Sequence, residues 1–295
     1  MNGRTRLAIS NRFDDLLDSL KPSKRETDAV AKHQLVLKTR LGSVLSAYPP
    51  LRMGSYTRGT AITRTSDLDL LIRLPADARK KAGGIIISSS TVLDNVRITA
   101  QSRLPHTTLR RDEQAIVINY ADGTQVDLVP AFFRSFDKQP IFEIPDGEGW
   151  WMPTSPQRHG SFIQEANKAS GSKLKGIVRL VKCWRTRRIT QIPLSSLHLE
   201  LAVAVERTCI GAKSYSDCLS ATFLALAKRK GAALHDPVLQ GLIKAIDTDA
   251  KRRTLVAALE HAAFHAASAY DAEIKGETKE AIRQWSIVFN GCFPS

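Results

Sequence analysis

Cysteine is scarce: four residues in 295, none in a C-x-x-C pair, which removes zinc ribbons and dithiol redox centres from consideration. Cys183, Cys209, Cys218 and Cys292 are widely and unevenly spaced, and four free thiols in a reducing compartment are the expectation. No apolar run approaches the about 18 residues that span a bilayer, and the opening MNGRTRLAISNRFDDLLDSL lacks the apolar stretch of a secretion signal. A cytoplasmic location without membrane attachment is the expected default. Internal repeats and low-complexity tracts are absent as well. Acidic residues are few, 29 against 43 Lys and Arg, for a formal net charge of +14. This imbalance favours anionic partners, which leaves nucleotides, nucleic acid and a charged membrane surface open, and charge alone does not choose among them.

What is present is enough apolar sequence, 43%, to bury a core of one large or two modest domains. Apolar residues at helical spacing run from 11 to 48, broken at Pro22: Phe13, Leu16, Leu17 and Leu20, then Val30, Leu35, Val36 and Leu41. LDLLIRL, 68 to 74, is a dense apolar strand that stops at Pro75. A helix is expected over 88 to 102, capped by the serines at 88 to 90. In QAIVINYADGTQVDLVPAFF two alternating runs flank Asp122-Gly123, a hairpin signal that places strands at 115 to 120 and 125 to 129. The segment 137 to 160, rich in Pro, Gly and Trp and without period, reads as a connector packed through Trp150 and Trp151. From 161 onward the spacing is helical, so a catalytic core over 1–160 with the N-terminal helix and a helical domain over 161–295 are expected.

The chemistry lies in MGSYTRGTAITRTSDLDL, 53 to 70. Side chains alternate along a strand, so Asp67 and Asp69 share one face while Leu68, Leu70 and Ile72 share the other. Asp127, between Val126 and Leu128 on the second hairpin strand, brings a third carboxylate to the same sheet. Two such charges about 4 Å apart repel by roughly 4 kcal/mol at an effective dielectric near 20. A hard divalent cation with oxygen ligands relieves that repulsion, and Mg²⁺ characteristically binds a few carboxylates together with substrate phosphates. Gly54 allows close approach of backbone to an anion, the Ser55 hydroxyl and nearby N–H groups donate to phosphate oxygens, and Arg58 and Arg64 add positive charge. The pattern implies two-metal phosphoryl transfer.

GSYTRGTAITRTSDLDLLI, with the later QVDLVPAF, resembles the nucleotidyltransferase superfamily of DNA polymerase beta, CCA-adding enzymes and oligoadenylate synthase. Its wording is most similar to the bacterial cGAS/DncV-like nucleotidyltransferases, makers of cyclic oligonucleotide second messengers in anti-phage (CBASS-type) defence. KGIVRLVKCWR, LSSLHLELAV, HDPVLQG and AIRQWSIVFNGCFP resemble family wording in the expected order. The resemblance implies an α+β fold, a polymerase beta-like mixed sheet with helices plus a C-terminal helical lobe, and an active site in the cleft between them. It implies Asp67, Asp69 and Asp127 as catalytic metal ligands for two Mg²⁺ ions, with Mn²⁺ as a substitute. Gly54 and Ser55 would hold the donor triphosphate, with Lys182 and Ser196 as further triphosphate contacts. Leu197 departs from the pattern, standing where the animal relative stacks an aromatic ring on a base.

The helical half agrees with this reading: Leu174, Ile177, Val178 and Val181 form an apolar stripe, Lys175, Arg179 and Lys182 a basic face, and Pro193 with Ser195 a helix start. The expected substrates are nucleoside triphosphates, ATP among them, acting on a monomer, with a regulatory partner protein and a nucleic-acid ligand both open. Nucleotidyl transfer to an RNA end, a protein or a small molecule is the alternative reaction, and a non-catalytic sensor the alternative class. The second D-x-D, Asp247 and Asp249, has no G-S loop and reads as a solvated helix end. His261 and His265 stand at i, i+4 without a third ligand, so helix packing is preferred to zinc. Trp184 and Trp285 sit on apolar stripes and are expected in the core.

Overall fold

The computed structural model describes residues 3–45, 48–65, 67–80, 84–188, 192–211 and 213–295. In chain order the elements are α1 (Gly3–Ser19), α2 (Lys24–Leu45), β1 (Leu51–Met53), α3 (Gly54–Arg58), β2 (Leu68–Arg73), α4 (Ser89–Arg103), β3 (Thr108–Asp112), β4 (Ala115–Asn119), β5 (Gln125–Asp137), β6 (Gln139–Pro145) and β7 (Trp151–Thr154). Then come α5 (Pro156–Ala169), α6 (Leu174–Thr186), α7 (Ser196–Glu206), α8 (Tyr215–Arg229), β8 (Leu234–His235), β9 (Leu242–Ile243), α9 (Asp249–Lys275) and α10 (Thr278–Val288). The chain divides into two compact units, Pro22–Gly59 with Ser66–Gly160, and Met1–Lys21 with Thr60–Thr65 and Ser161–Ser295.

The first unit is a mixed seven-stranded sheet with helices. Its strands run in the order β1-β2-β5-β4-β3, with β6 beside β5 and β7 beside β6. β2 and β5 are parallel, and the other pairs antiparallel. One face carries Leu68, Leu70, Ile72, Ile116, Ile118, Val126 and Leu128 against Val30, Leu37 and Leu41 of α2 and Val92, Leu93 and Val96 of α4. Each fully buried aliphatic side chain contributes about 1.5–3 kcal/mol, so a register slip that reversed the faces would forfeit the whole cluster. The helix α4 starts as its serines foretell: Ser88 is the N-cap, its hydroxyl accepting from the Thr91 N–H at 3.2 Å.

The segment from 137 to 160 is not a plain connector. β5 continues to Asp137, turns at Lys138 into β6, and β7 adds a further strand. Pro140, Pro145 and Pro153 all lie in these strands, which suits the short outer part of a sheet, where not every residue must donate a ladder hydrogen bond. Trp151 packs edge-on against Phe132 at 5.0 Å with the Arg79 guanidinium over its ring at 4.8 Å. Trp150, by contrast, is 74% exposed, so only one of the two tryptophans anchors the segment.

The second unit is helical. Phe13 of α1 meets Trp285 at 5.1 Å, Phe293 at 4.9 Å and Tyr215 at 6.1 Å. The N-terminal helix therefore belongs to this unit and not, as expected, to the catalytic core: its apolar stripe Ile9, Phe13, Leu16, Leu17 and Leu20 is buried with α6 to α10. Trp184 and Trp285 are both fully enclosed. Cys209 and Cys218 form a disulfide with Cα atoms 4.9 Å apart, which corrects the expectation of four free thiols. They lie on either side of the turn that leads from α7 into α8, a closeness that the linear spacing does not reveal. Cys183 is a buried free thiol and Cys292 an exposed one. Among the described residues no helix is long and apolar enough to cross a membrane.

Candidate active site

β2 and β5 run parallel in a register that sets Asp69 directly beside Asp127, as Leu68 stands beside Val126 and Leu70 beside Leu128. Neighbouring strands lie about 4.8 Å apart, so the two carboxylates leave one face of the sheet side by side. Asp67 precedes β2 by one residue, and its alternation with the buried Leu68 puts it on the same face as Asp69. All three acids are half-buried. Asp69 is also paired across β1 with Met53, the residue before Gly54. The strand that carries the acids and the turn that carries Gly54-Ser55 are thus cross-strand neighbours.

Gly54 shows why that position has no side chain. Its φ is +73°, and a Cβ built there would overlap Asp69 Oδ2 and stand 2.9 Å from Asp69 Cβ. A substituted side chain would meet backbone strain and the carboxylate at once. Gly54→Ala is accordingly expected to displace Asp69 and reduce turnover by about 100-fold or more, since about 2.7 kcal/mol of lost positioning suffices for that factor. The check is a steady-state rate against a folded control, scored by circular dichroism. Ser55, in the first turn of α3, is 8% exposed. Met53 leads into it in extended conformation, and the Gly59 N–H closes the turn on Ser55 O.

The electrostatics follow the burial. Burial pushes the Asp127 carboxyl up, the Gln125 side chain pulls it down, and Asp112 and Arg110 act in opposite senses. Gln125 Nε2 donates to Asp127 Oδ1 at 3.0 Å. The Tyr56 phenol is raised by burial first, then by Glu26, with Arg52 opposing and Asp67 adding to the rise. Among the described residues no three His, Cys, Asp or Glu side chains converge as a preformed ion cage, short of the shared small volume expected for the three acids. One oxygen of Asp127 is engaged by Gln125, and the Asp69 carboxylate lies against Gly54. What the sheet fixes is the register of the donors. Carboxylate oxygens as donors, with Gly54 leaving space for the Asp69 carboxylate, suit a hard divalent cation.

Two expected residues lie in the helical unit. Ser196 is the first residue of α7, half-buried, and Ser195 before it is the cap, its hydroxyl accepting from the His198 N–H at 3.1 Å. Lys182, expected on a basic face available for phosphates, is buried. Its side chain is 3% exposed, and Nζ donates to Glu200 Oε1 at 2.5 Å and to the Thr60 carbonyl at 3.2 Å. The cause is that α6 is buried almost all round, leaving Lys175, Arg179 and Arg185 as its half-buried cations. Leu197 is half-buried and packs against the helical core.

Glu200 and Gln125 were missed in the sequence. Glu200 has no local signal, for a lone acid in an apolar helix shows its partner only once the fold is known. Gln125 did carry one, since it stands two residues before Asp127 and hence on the same strand face. The other acid and histidine pairs are occupied elsewhere: Asp247 pairs with Lys251 at 2.8 Å and His265 with Gln284 at 2.6 Å.

The second messenger oligonucleotide or dinucleotide synthetase domain matches residues 7–167 of this chain. A cyclic AMP-AMP-AMP synthase of Escherichia coli MS 115-1 is 23% identical over 306 aligned positions, covering 94% of each chain. Two solved structures of E. coli MS115-1 CdnC share the fold. The structure with ATP superposes with a TM-score of 0.72 at 18% identity, covering 100% of this chain and 99% of that one. The complex with HORMA-deltaN gives 0.69 at 19% identity with the same coverage. Since the domain match extends over more than half of its length, the chain belongs to the second messenger oligonucleotide or dinucleotide synthetase family, a family of nucleotidyltransferases.

Proposed function

We propose that this protein joins nucleoside triphosphates, ATP among them, into a cyclic oligonucleotide with release of pyrophosphate. The observation that supports this most directly is the parallel register that puts Asp69 beside Asp127, with Gly54 of the neighbouring turn against the Asp69 carboxylate. In each step a ribose hydroxyl oxygen bonds to the α-phosphorus of a triphosphate, the bond from that phosphorus to the β-phosphate bridge breaks, and the hydroxyl proton is lost to solvent. The first steps lengthen a linear product that keeps its 5′-triphosphate. In the last, the free hydroxyl of that product attacks its own α-phosphorus and closes the ring.

Asp67, Asp69 and Asp127 would hold Mg²⁺ or Mn²⁺, which when bound polarises the phosphate, eases loss of the hydroxyl proton and offsets charge on the leaving pyrophosphate. The chain's own part is orientation. Gly54 lets the turn approach the donor phosphates, and Ser55 donates to a phosphate oxygen. Lys182 is assigned to Glu200 rather than to phosphate, on the ion pair it makes. A regulatory protein partner is proposed on the precedent of the CdnC complex with HORMA-deltaN, and anti-phage CBASS signalling as the use of the product.

The test is incubation of the purified protein with labelled nucleotides and Mg²⁺, then phosphatase and mass spectrometry. A phosphatase-resistant product whose mass is a whole number of nucleoside monophosphates less one water for each of them is the expected result. Label transferred to added RNA or protein, with no resistant small product, would reject the cyclic reading in favour of macromolecular transfer.

A further inference from the structure

We infer that Gln125 is a positioning residue for Asp127: its side-chain amide holds one carboxylate oxygen so that the other is presented outward from the sheet. This rests on the proposed role of Asp127 as a metal ligand and adds what fixes its orientation. In a strand, residues i and i+2 leave the same face about 6.6 Å apart. Glutamine is long enough to span that gap and neutral enough to donate without displacing a cation, and Nε2 stands 3.0 Å from Asp127 Oδ1. Asparagine is one methylene shorter.

A positioning group must itself be held, and the hairpin supplies this. Gln125 is the first residue of β5 and is paired with Asn119 of β4. Between them the turn is closed by Tyr120 N–H to Thr124 O at 2.9 Å, Gly123 N–H to Tyr120 O at 3.0 Å and Thr124 N–H to Asp122 Oδ1 at 3.0 Å. The turn is then pinned to α2. His33 Nε2 meets Asp122 Oδ2 at 2.8 Å, and the His33 ring stacks on Tyr120 with centroids 3.6 Å apart. His33 is only 6% exposed, so the α2 side of this clasp belongs to the packed unit, while Asp122 reaches it from the exposed turn. Gln125 therefore leaves a strand whose start is fixed twice, by the ladder and by α2, and its amide has a fixed origin from which to reach Asp127.

Partners that orient a metal-binding carboxylate typically matter by about 10–100-fold in metal affinity or activity. The experiment titrates Mn²⁺ into the nucleotide-free protein, reading free ion by electron paramagnetic resonance, for wild type, Gln125→Ala, Gln125→Asn and Asp127→Ala, with the melting temperature of each. For both Gln125 variants the expected result is Mn²⁺ affinity weakened about tenfold, kcat lowered by a similar factor, nucleotide KM within about twofold, and an unchanged melting temperature. Mn²⁺ affinity within twofold of wild type in the Gln125 variants, while Asp127→Ala loses binding, would overturn the inference and leave the proposed function standing. Wild-type Mn²⁺ binding in Asp127→Ala would overturn both. A loss in the Gln125 variants that merely tracks a fall in melting temperature would mark Gln125 as structural and also overturn the inference.

Discussion

Asp69→Asn should abolish product formation while leaving the fold intact. Asparagine matches aspartate in shape and size, and the backbone pairings of Asp69 with Met53 on one side and Asp127 on the other do not depend on the side-chain charge. Removing the carboxylate that stands beside Asp127 also relieves repulsion, so the melting temperature should hold or rise slightly. Catalysis has no such tolerance. A metal ligand at the reacting phosphate supplies several kcal/mol of charge stabilisation, and each 1.4 kcal/mol is a factor of ten, so a rate loss on the order of 1,000-fold is expected. Ligand linkage gives a second readout. Mn²⁺ with a nucleotide should raise the melting temperature of the wild type and fail to do so for Asp69→Asn, because only binding to the folded state stabilises it. A variant that retains product formation within a few-fold of wild type would remove Asp69 from the reaction.

That expectation is strong because the relevant features are local and could be read in the sequence. Alternation around Leu68 and Leu70 fixes which way Asp67 and Asp69 face, and Asp122-Gly123 fixes the hairpin that brings Asp127. Only the parallel pairing of β2 with β5 had to come from the fold. Elsewhere the sequence was silent for physical reasons. Pro140, Pro145 and Pro153 read as loop because proline lacks a donor, yet the outer strands β6 and β7 accommodate them. α1 precedes the sheet in the chain but packs with helices that follow it by more than 150 residues, and a helical stripe does not say which core it will enter. The pairing of Cys209 with Cys218 depends on the turn between α7 and α8, and the burial of Lys182 on a glutamate 18 residues away.

Lys182 is where the two readings of the site diverge most in energy. As a phosphate contact it would be a solvated lysine whose loss weakens nucleotide binding and leaves stability alone. As the structure has it, side-chain exposures of 3% for Lys182 and 0% for Glu200 make a buried ion pair. Removing one partner of such a pair strands the other charge, at a cost of about 3–5 kcal/mol, whereas replacing both by apolar residues of similar size is often neutral or stabilising. Lys182→Ala should therefore lower the melting temperature by on the order of 10 °C, and Lys182→Met with Glu200→Leu should recover most of it. The recovered double variant then decides the role. If Lys182 serves the helical core, that protein should show a nucleotide KM within about threefold of wild type, because less than about 1 kcal/mol of binding was lost. A KM raised tenfold or more in a double variant of normal stability would return Lys182 to the triphosphate. The Thr60 carbonyl, the second acceptor for Nζ, bears on the same choice: it follows Gly59, the residue that closes α3. Loss of the ammonium there should loosen the chain just beyond the Gly54-Ser55 turn, and hydrogen exchange at Thr60 to Thr65, faster in Lys182→Ala and restored in part by the double variant, would register it.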